Sequence, residues 1–338
     1  MKLRSSLFLC VLSFISTPAP AFSQAVAAAK PNAPQSSEIT QQPFTNQLRN
    51  TIAFLHTHYE ADGIPKEIEG TAFFISVGDD RVPKERRYVY LVTNRHMAAP
   101  DSNLGMSRRV TSYDLWLNTV QHAPEHNTIE ARKYTVTPEM MGHWYFPADE
   151  SIDLAVVPVV LDPTTIYFQH IPDSEILIDG PSESVHIAPG YQVVFAGFFY
   201  QFPGVKKIQP IVRQGVMAMI PDELVPTVIQ NKRGSVFLVD AHSYHGNSGS
   251  PVFVNTGGMH GNTFMPESYK LIGVVSGYYP EHKDGTLSDA AVLTGTVHDN
   301  SGITIVVPGE QLKALLYCPE LRNIRERDVQ NYLATHKP

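Results

Sequence analysis

The sequence predicts an antiparallel all-β fold built from barrels, on three observations. Short apolar runs rich in β-branched and aromatic residues recur along the chain, each bounded by Gly, Pro, Asp or Asn. These runs do not alternate with long helical patterns, as βαβ units would require. A convincing helical spacing occurs late in the chain, in EQLKALLY at 310–317, where Leu312, Leu315 and Leu316 share a face.

Residues 1–23, MKLRSSLFLCVLSFISTPAPAFS, combine basic Lys2 and Arg4, an apolar run at 7–15 and the small residues Ala21 and Ser23, and read as a cleaved export signal. The expected destination is the periplasm or the extracellular medium. Residues 24–43, rich in Ala, Pro, Gln and Ser without apolar periodicity, read as a flexible leader. The strand expectations then follow in order: TIAFLHTHY (51–59), GTAFFISV (70–77), YVYLVTN (88–94), DLAVVPVV (153–160), YQVVFAGFFY (191–200), SVFLVDA (235–241), LIGVVSGYY (271–279) and GITIVVPG (302–309). The segment 101–150 is too long for a hairpin loop and resists assignment. The polar, Pro-containing DSEILIDGPSES at 173–184 divides the chain into a first barrel, 44–172, and a second barrel with the closing helix, 173–320. Residues 321–338 read as a C-terminal tail.

The 338 residues carry 26 Lys and Arg against 33 Asp and Glu, a net charge of −7 that becomes −9 without the two basic residues of the signal. No dense basic run offsets that balance, which argues against nucleic acid as the main partner. No segment approaches about 20 consecutive apolar residues, so no membrane span is expected. Of the two cysteines, Cys10 leaves with the signal and Cys318 stands alone. An internal disulfide is therefore excluded, and a packed core must supply stability, for which the 315 remaining residues are ample.

The chemistry concentrates in HGNSGSPVF at 245–253, where Ser248 stands between glycines. Gly246 and Gly249 alone would suit a plain turn. A nucleophile needs more: a base, a carboxylate to orient it, and backbone donors for the oxyanion. His96 ends the strand YVYLVTN and stands where strand gives way to loop; it serves either a structural hydrogen bond or catalysis. Asp153 opens the apolar run DLAVVPVV, capping a turn or accepting the Nδ1 proton of a histidine, which would offset the cost of its burial. The order is His, Asp, Ser, and the hydrolase pattern Gly-x-Ser-x-Gly fails because residue 250 is Ser250.

The segments LVTNRHMAA, DLAVVPV and GNSGSPVF resemble the His, Asp and Ser motifs of bacterial trypsin-like (chymotrypsin-like) serine peptidases, including the Htr-type and glutamyl-endopeptidase groups, over about residues 50–318. The resemblance implies two six-stranded antiparallel β-barrels, with the active site between them and a polypeptide as substrate. It implies His96 as general base, Asp153 as its orienter, Ser248 as nucleophile, and the N–H groups of Gly246 and Ser248 as the oxyanion hole. GVVSG at 273–277 resembles the strand that pairs with substrate, with Ser276, Gly277 and Tyr278 beside the specificity pocket; a plain core strand is the alternative. By the same motif His242 falls at the pocket floor with Ser243 beside it, or else His242 points into the barrel core. Without a carboxylate there, Lys and Arg side chains are not favoured.

Departures also inform. Val275 stands where glutamyl endopeptidases carry a histidine, so strict glutamate specificity is not expected. Asn247 takes the position at which digestive zymogens pair an aspartate with a new N-terminus, so activation by that device is not expected. About 20 residues follow the closing helix, which leaves no room for the PDZ domain of many Htr-type enzymes, and a monomer is expected. No cofactor is called for. Two rivals remain. His56, His58 and Glu60 alternate along one strand face as metal ligands could, although no helical His-Glu-x-x-His accompanies them. The same fold could also serve as a catalytically weak or inactive module that binds peptides or proteins.

Overall fold

A computed structural model describes residues 43–100, 108–122, 127–178, 187–229, 232–260, 263–283 and 297–336. The export signal, the leader up to residue 42 and part of the dividing stretch, 179–186, lie outside the described residues.

The first unit opens with helix α1 (Phe44–Arg49) and strands β1 (Ile52–Ala61), β2 (Ile64–Val77) and β3 (Tyr88–Thr93). The one-turn helix α2 (Arg95–Ala98), the long hairpin β4 (Arg108–His122) and β5 (Asn127–Val136), helix α3 (Pro138–Met141), β6 (Ala155–Pro158) and the short β7 (Ile166–Tyr167) and β8 (Ile171–Pro172) complete it. Six strands follow the path β5-β4-β1-β2-β3-β6, with β7 added on β4 and β8 on β2, and the path stays open. The second unit contains β9 (Gln192–Gly197), β10 (Ile211–Met219), the hairpin β11 (Val225–Pro226) and β12 (Arg233–Gly234), β13 (Phe237–Asp240), β14 (Pro251–Asn255), the hairpin β15 (Gly258–His260) and β16 (Thr263–Met265), β17 (Tyr269–Lys283) and β18 (Val297–Pro308). Six of these close on themselves as β10-β13-β18-β17-β14-β9. This is a chymotrypsin-like arrangement in which the second unit is a closed six-stranded barrel, while the first, expected as a six-stranded antiparallel barrel, is a barrel-like sheet of eight strands with β8 added in parallel.

The eight expected runs all carry strands, because each supplies apolar residues to a buried face. In β2 the half contributed by GTAFFISV is buried while Ile64 to Glu67 are exposed, so the strand projects beyond the core at one end. Separate apolar clusters fill each unit: one with Leu55, Phe74, Leu91 and Leu115, the other with Phe195, Val239, Val252 and Val306. A third cluster joins the units, packing Phe54, Phe73 and Leu154 against Ala196, Phe198 and Phe253.

The C-terminal expectation needs correction. After helix α4 (Gly309–Leu316), which holds the predicted EQLKALLY face, a second helix α5 (Pro319–Thr335) takes up nearly all of the stretch read as a tail. Leu321, Arg325 and Val329 are its buried side, and a core position held by arginine conceals the helical apolar stripe. Among the described residues no helix is long and apolar enough to cross a membrane.

Candidate active site

β3 ends at Thr93, and the backbone then turns into α2, so His96 sits in a single helical turn and not in the open loop expected of it. Asn94 ties this turn to the next element, its Nδ2 donating to the Asp153 carbonyl at 2.9 Å. Arg95 adds donations to the carbonyls of Pro147, at 2.6 Å, and Ile152, at 3.4 Å. The segment leading into β6 is thereby held against α2, and Asp153 comes to lie beside His96.

His96 Nδ1 lies 2.7 Å from Asp153 Oδ2, and the His96 backbone N–H donates to Oδ1 at 3.0 Å. The Ser276 hydroxyl gives the carboxylate a third donor, at 2.5 Å from Oδ2. Asp153 is 1 % exposed, while the histidine side chain retains 23 % of its surface. Burial raises the Asp153 carboxyl, but the His96 charge and the hydrogen bonds from His96 and Ser276 outweigh it and hold the group below its ordinary range. Burial likewise favours neutral His96, yet the charge and hydrogen bond of Asp153 prevail and lift the imidazole above its ordinary value.

Ser248 stands on the turn between β13 and β14. Gly246 has φ +95°, a conformation disfavoured for any side chain, and a Cβ there would lie 2.6 Å from the Phe198 ring. The neighbouring donors are occupied: Asn247 N–H donates to Tyr244 O at 2.9 Å and Gly249 N–H to Val275 O at 2.8 Å. Among the described residues, the N–H groups of Gly246 and Ser248 have no acceptor. Two free donors flanking a serine can receive an oxyanion. The Ser248 hydroxyl itself donates to the Ser276 carbonyl at 3.1 Å.

Spacing gave no signal for the residues that hold this turn, because their contacts are remote in sequence. Thr71 on β2 donates its N–H to Ser248 O at 2.8 Å and its hydroxyl to Gly246 O at 2.7 Å, and the same hydroxyl accepts the Phe198 N–H at 2.8 Å. Asn247, 1 % exposed, accepts from Tyr244 N–H at 2.9 Å and Arg213 Nε at 3.2 Å and donates to Phe198 O at 2.9 Å. Arg213 also lies across the Tyr244 ring, 4.8 Å from its centroid.

A cavity of about 220 Å³ opens beside Ser248, lined by Ser243, Val275, Gly277 and Tyr278 together with Val228 and His245. A larger cavity, about 1010 Å³, is bounded by α1, β8 and β16 flanks and includes none of His96, Asp153 or Ser248. β17 pairs with β14 only as far as Val274, so its edge from Ser276 onward has no strand on that side among the described residues. An extended peptide could add there.

Two pocket expectations change. His242 lies neither at the floor nor in the core: it is exposed, stacked on Tyr244 with ring centroids 6.3 Å apart, and absent from the cavity lining. The Ser276 side chain, only 2 % exposed, turns to Asp153 and not to the pocket entry. The metal alternative gains nothing. His56 lies 3.3 Å from Glu69, His58 3.0 Å from Asp114, and Glu60 3.2 Å from Arg109. No group of three ligating side chains placed to hold a metal ion is found among the described residues.

The family model of the trypsin-like peptidase domain matches residues 70–261, a span that includes all three of His96, Asp153 and Ser248. No curated protein matches the chain. Among solved structures, a thermostable serine protease from an extremophilic microorganism aligns with 80 % of this chain and 98 % of its own at 10 % identity and a TM-score of 0.40. A mutant of the tobacco etch virus protease aligns with 82 % of each chain at 11 % identity and a TM-score of 0.38.

Proposed function

The chain belongs to the trypsin-like peptidase family and is a serine peptidase, and from that premise we propose that it cleaves polypeptides internally through Ser248, His96 and Asp153. One observation carries the assignment: an imidazole paired to a buried carboxylate at 2.7 Å, which Ser276, its hydroxyl on that carboxylate and its carbonyl accepting from Ser248, links to a serine whose turn leaves two backbone donors free.

In this reading the Ser248 hydroxyl rotates from the Ser276 carbonyl to His96 Nε2 as substrate enters, and its oxygen attacks the peptide carbonyl. His96 takes the proton, and Asp153 stabilises the imidazolium and fixes the ring tautomer. The carbonyl oxygen, now an oxyanion, accepts from Gly246 and Ser248 N–H, a contribution of about 2.7–4 kcal/mol per donor. The proton passes to the leaving amine, whose C–N bond breaks to leave an acyl-serine. Water activated by His96 then hydrolyses the ester. The free edge of β17 holds the substrate chain extended, with Gly277 and Tyr278 flanking the side chain that enters the cavity.

The three hydrogen bonds of the buried Asn247 side chain support a further part of the reading, that no new N-terminus is needed to order the oxyanion turn. The protein acts after export, in the periplasm or outside the cell, on the strength of the N-terminal signal pattern.

The test is a fluorophosphonate probe with turnover of a denatured protein substrate. Wild-type protein should label at Ser248, and Ser248→Ala should keep its fold, lose the label and lose about 10⁶-fold in kcat. Wild-type turnover by the alanine variant would end the assignment; a folded, unlabelled and inactive wild type would favour the binding module.

A further inference from the structure

Resting on the reading of Ser248 as nucleophile, we propose that Val228 on the β11–β12 hairpin sets side-chain specificity, and that the pocket accepts small uncharged aliphatic side chains. The accepted side chain is that of the residue whose carbonyl Ser248 attacks.

The pocket is a slot between two backbone segments, 243–245 and 275–277. Val228 closes it from a third direction. A Cβ built on Gly277 would lie 2.7 Å from Val228 Cγ1 and 3.8 Å from its Cβ, so one methyl of Val228 points at the glycine and fills the space that a side chain at 277 would take. Gly277 is thus required by Val228 and not by a turn. The described residues on either side of Val228 are tied down. Val228 packs against the cluster of Val236, Leu238 and Ile305, the Tyr279 hydroxyl donates to Pro226 O at 2.7 Å, and Arg233 donates twice to Leu224 O, at 3.0 and 2.7 Å. Across the cleft, Lys232 reaches Glu150 at 2.9 Å. A wall held this way does not swing aside for a large side chain.

The lining carries no carboxylate, and its one basic side chain, His245, is exposed. Val275 and Ser243 are buried, and Ser243 is engaged through its carbonyl, which accepts Asn300 Nδ2 at 2.5 Å, and its hydroxyl, which donates to Gly277 O at 3.4 Å. Arg213, not among the lining residues, stacks on the Tyr244 ring and donates from Nε to Asn247 at 3.2 Å. His245 is exposed at the rim. A lysine, arginine or glutamate side chain entering this slot would lose hydration without gaining a partner, and an aromatic ring would meet the methyls of Val228.

The experiment compares kcat/KM for peptides that differ only at the residue before the cleaved bond, carrying Ala, Val, Phe, Lys or Glu. Wild-type protein should favour Ala and Val over the other three by about 10-fold or more. Val228→Ala should raise the Phe-to-Val ratio by about 10-fold, and Val228→Met should lower the Val-to-Ala ratio. The inference is overturned by a wild-type preference for Phe, Lys or Glu, or by ratios unchanged in both variants while each still labels with fluorophosphonate. Label retained with the wrong profile sinks this inference alone. A folded wild type with neither label nor cleavage sinks the serine reading beneath it.

Discussion

Asp153 is nearly inaccessible to water, yet three donors converge on its two oxygens. A buried carboxylate is costly without partners, and here His96 and Ser276 supply them in the orientation that a base requires. The consequence is measurable as a pH dependence. His96 must be neutral to accept the Ser248 proton, and because its proton is held more tightly than in free imidazole, kcat/KM should rise with pH through a midpoint above about 6.5. Asp153→Asn removes the charge that raises His96 and leaves the burial that lowers it, so the midpoint should move below that value while kcat falls by about 10⁴-fold. An acid limb that stays in place in the Asn variant would show that another group titrates. Stability carries opposite signs for the two partners. The depressed Asp153 contributes above about pH 3.9, a contribution lost as pH falls through its folded value; the raised His96 contributes below about pH 6.5, lost as pH rises through its own.

At the level of elements, β2 of the first barrel holds the nucleophile turn of the second. Thr71 does this with one N–H and one hydroxyl, the hydroxyl bridging Gly246 O and Phe198 N–H. Thr71→Val keeps the shape but strands both backbone groups, at a cost of about 1–3 kcal/mol each. It should lower kcat far more than it raises KM, because the oxyanion donors and not the substrate strand lose their support, and Thr71→Ser should restore most of the rate. Equal losses in kcat and KM would place Thr71 in substrate binding. The motif residues were legible because each chemical type stood at the end of an apolar strand run; Thr71, Asn94 and Val228 were not, because they act through partners tens of residues away. The same reason hid β4. It buries Asp114 and Asn118, residues typical of loops, and satisfies them from outside the strand: Asp114 by His58, Lys133 and Thr135, Asn118 by the Ile208 N–H. Local composition cannot reveal such compensation. β11 and β12, two residues each, are too short for any period to register.

Across the whole molecule, the site exists only where the two barrels meet, and α5 spans that junction from behind. It follows the second barrel in sequence but packs its Arg325 against the first: Nη1 donates to the Tyr90 hydroxyl at 2.7 Å and to Leu316 O at 2.8 Å. Around this buried contact lie charged pairs, Arg81 with Glu326 at 2.7 Å and Arg86 with Asp328 at 2.8 Å, the latter carboxylate also accepting from the Tyr88 hydroxyl. Magnitudes decide which contact matters. Solvent-exposed ion pairs are worth about 0–1 kcal/mol and weaken with salt. Removing the buried guanidinium leaves a hydroxyl and a carbonyl without their donor, at about 1–3 kcal/mol per group. Arg325→Met, which keeps the side-chain bulk, should therefore lower Tm by several degrees at both low and high salt, whereas Arg81→Ala and Arg86→Ala should each shift it only slightly, and only at low salt. At about 1.5 °C per kcal/mol for a chain of this length, differential scanning calorimetry separates the two cases. A larger loss from either exposed arginine, or an Arg325→Met effect that vanishes in salt, would mean that surface charge and not the buried donor fastens the C-terminal helix across the barrels.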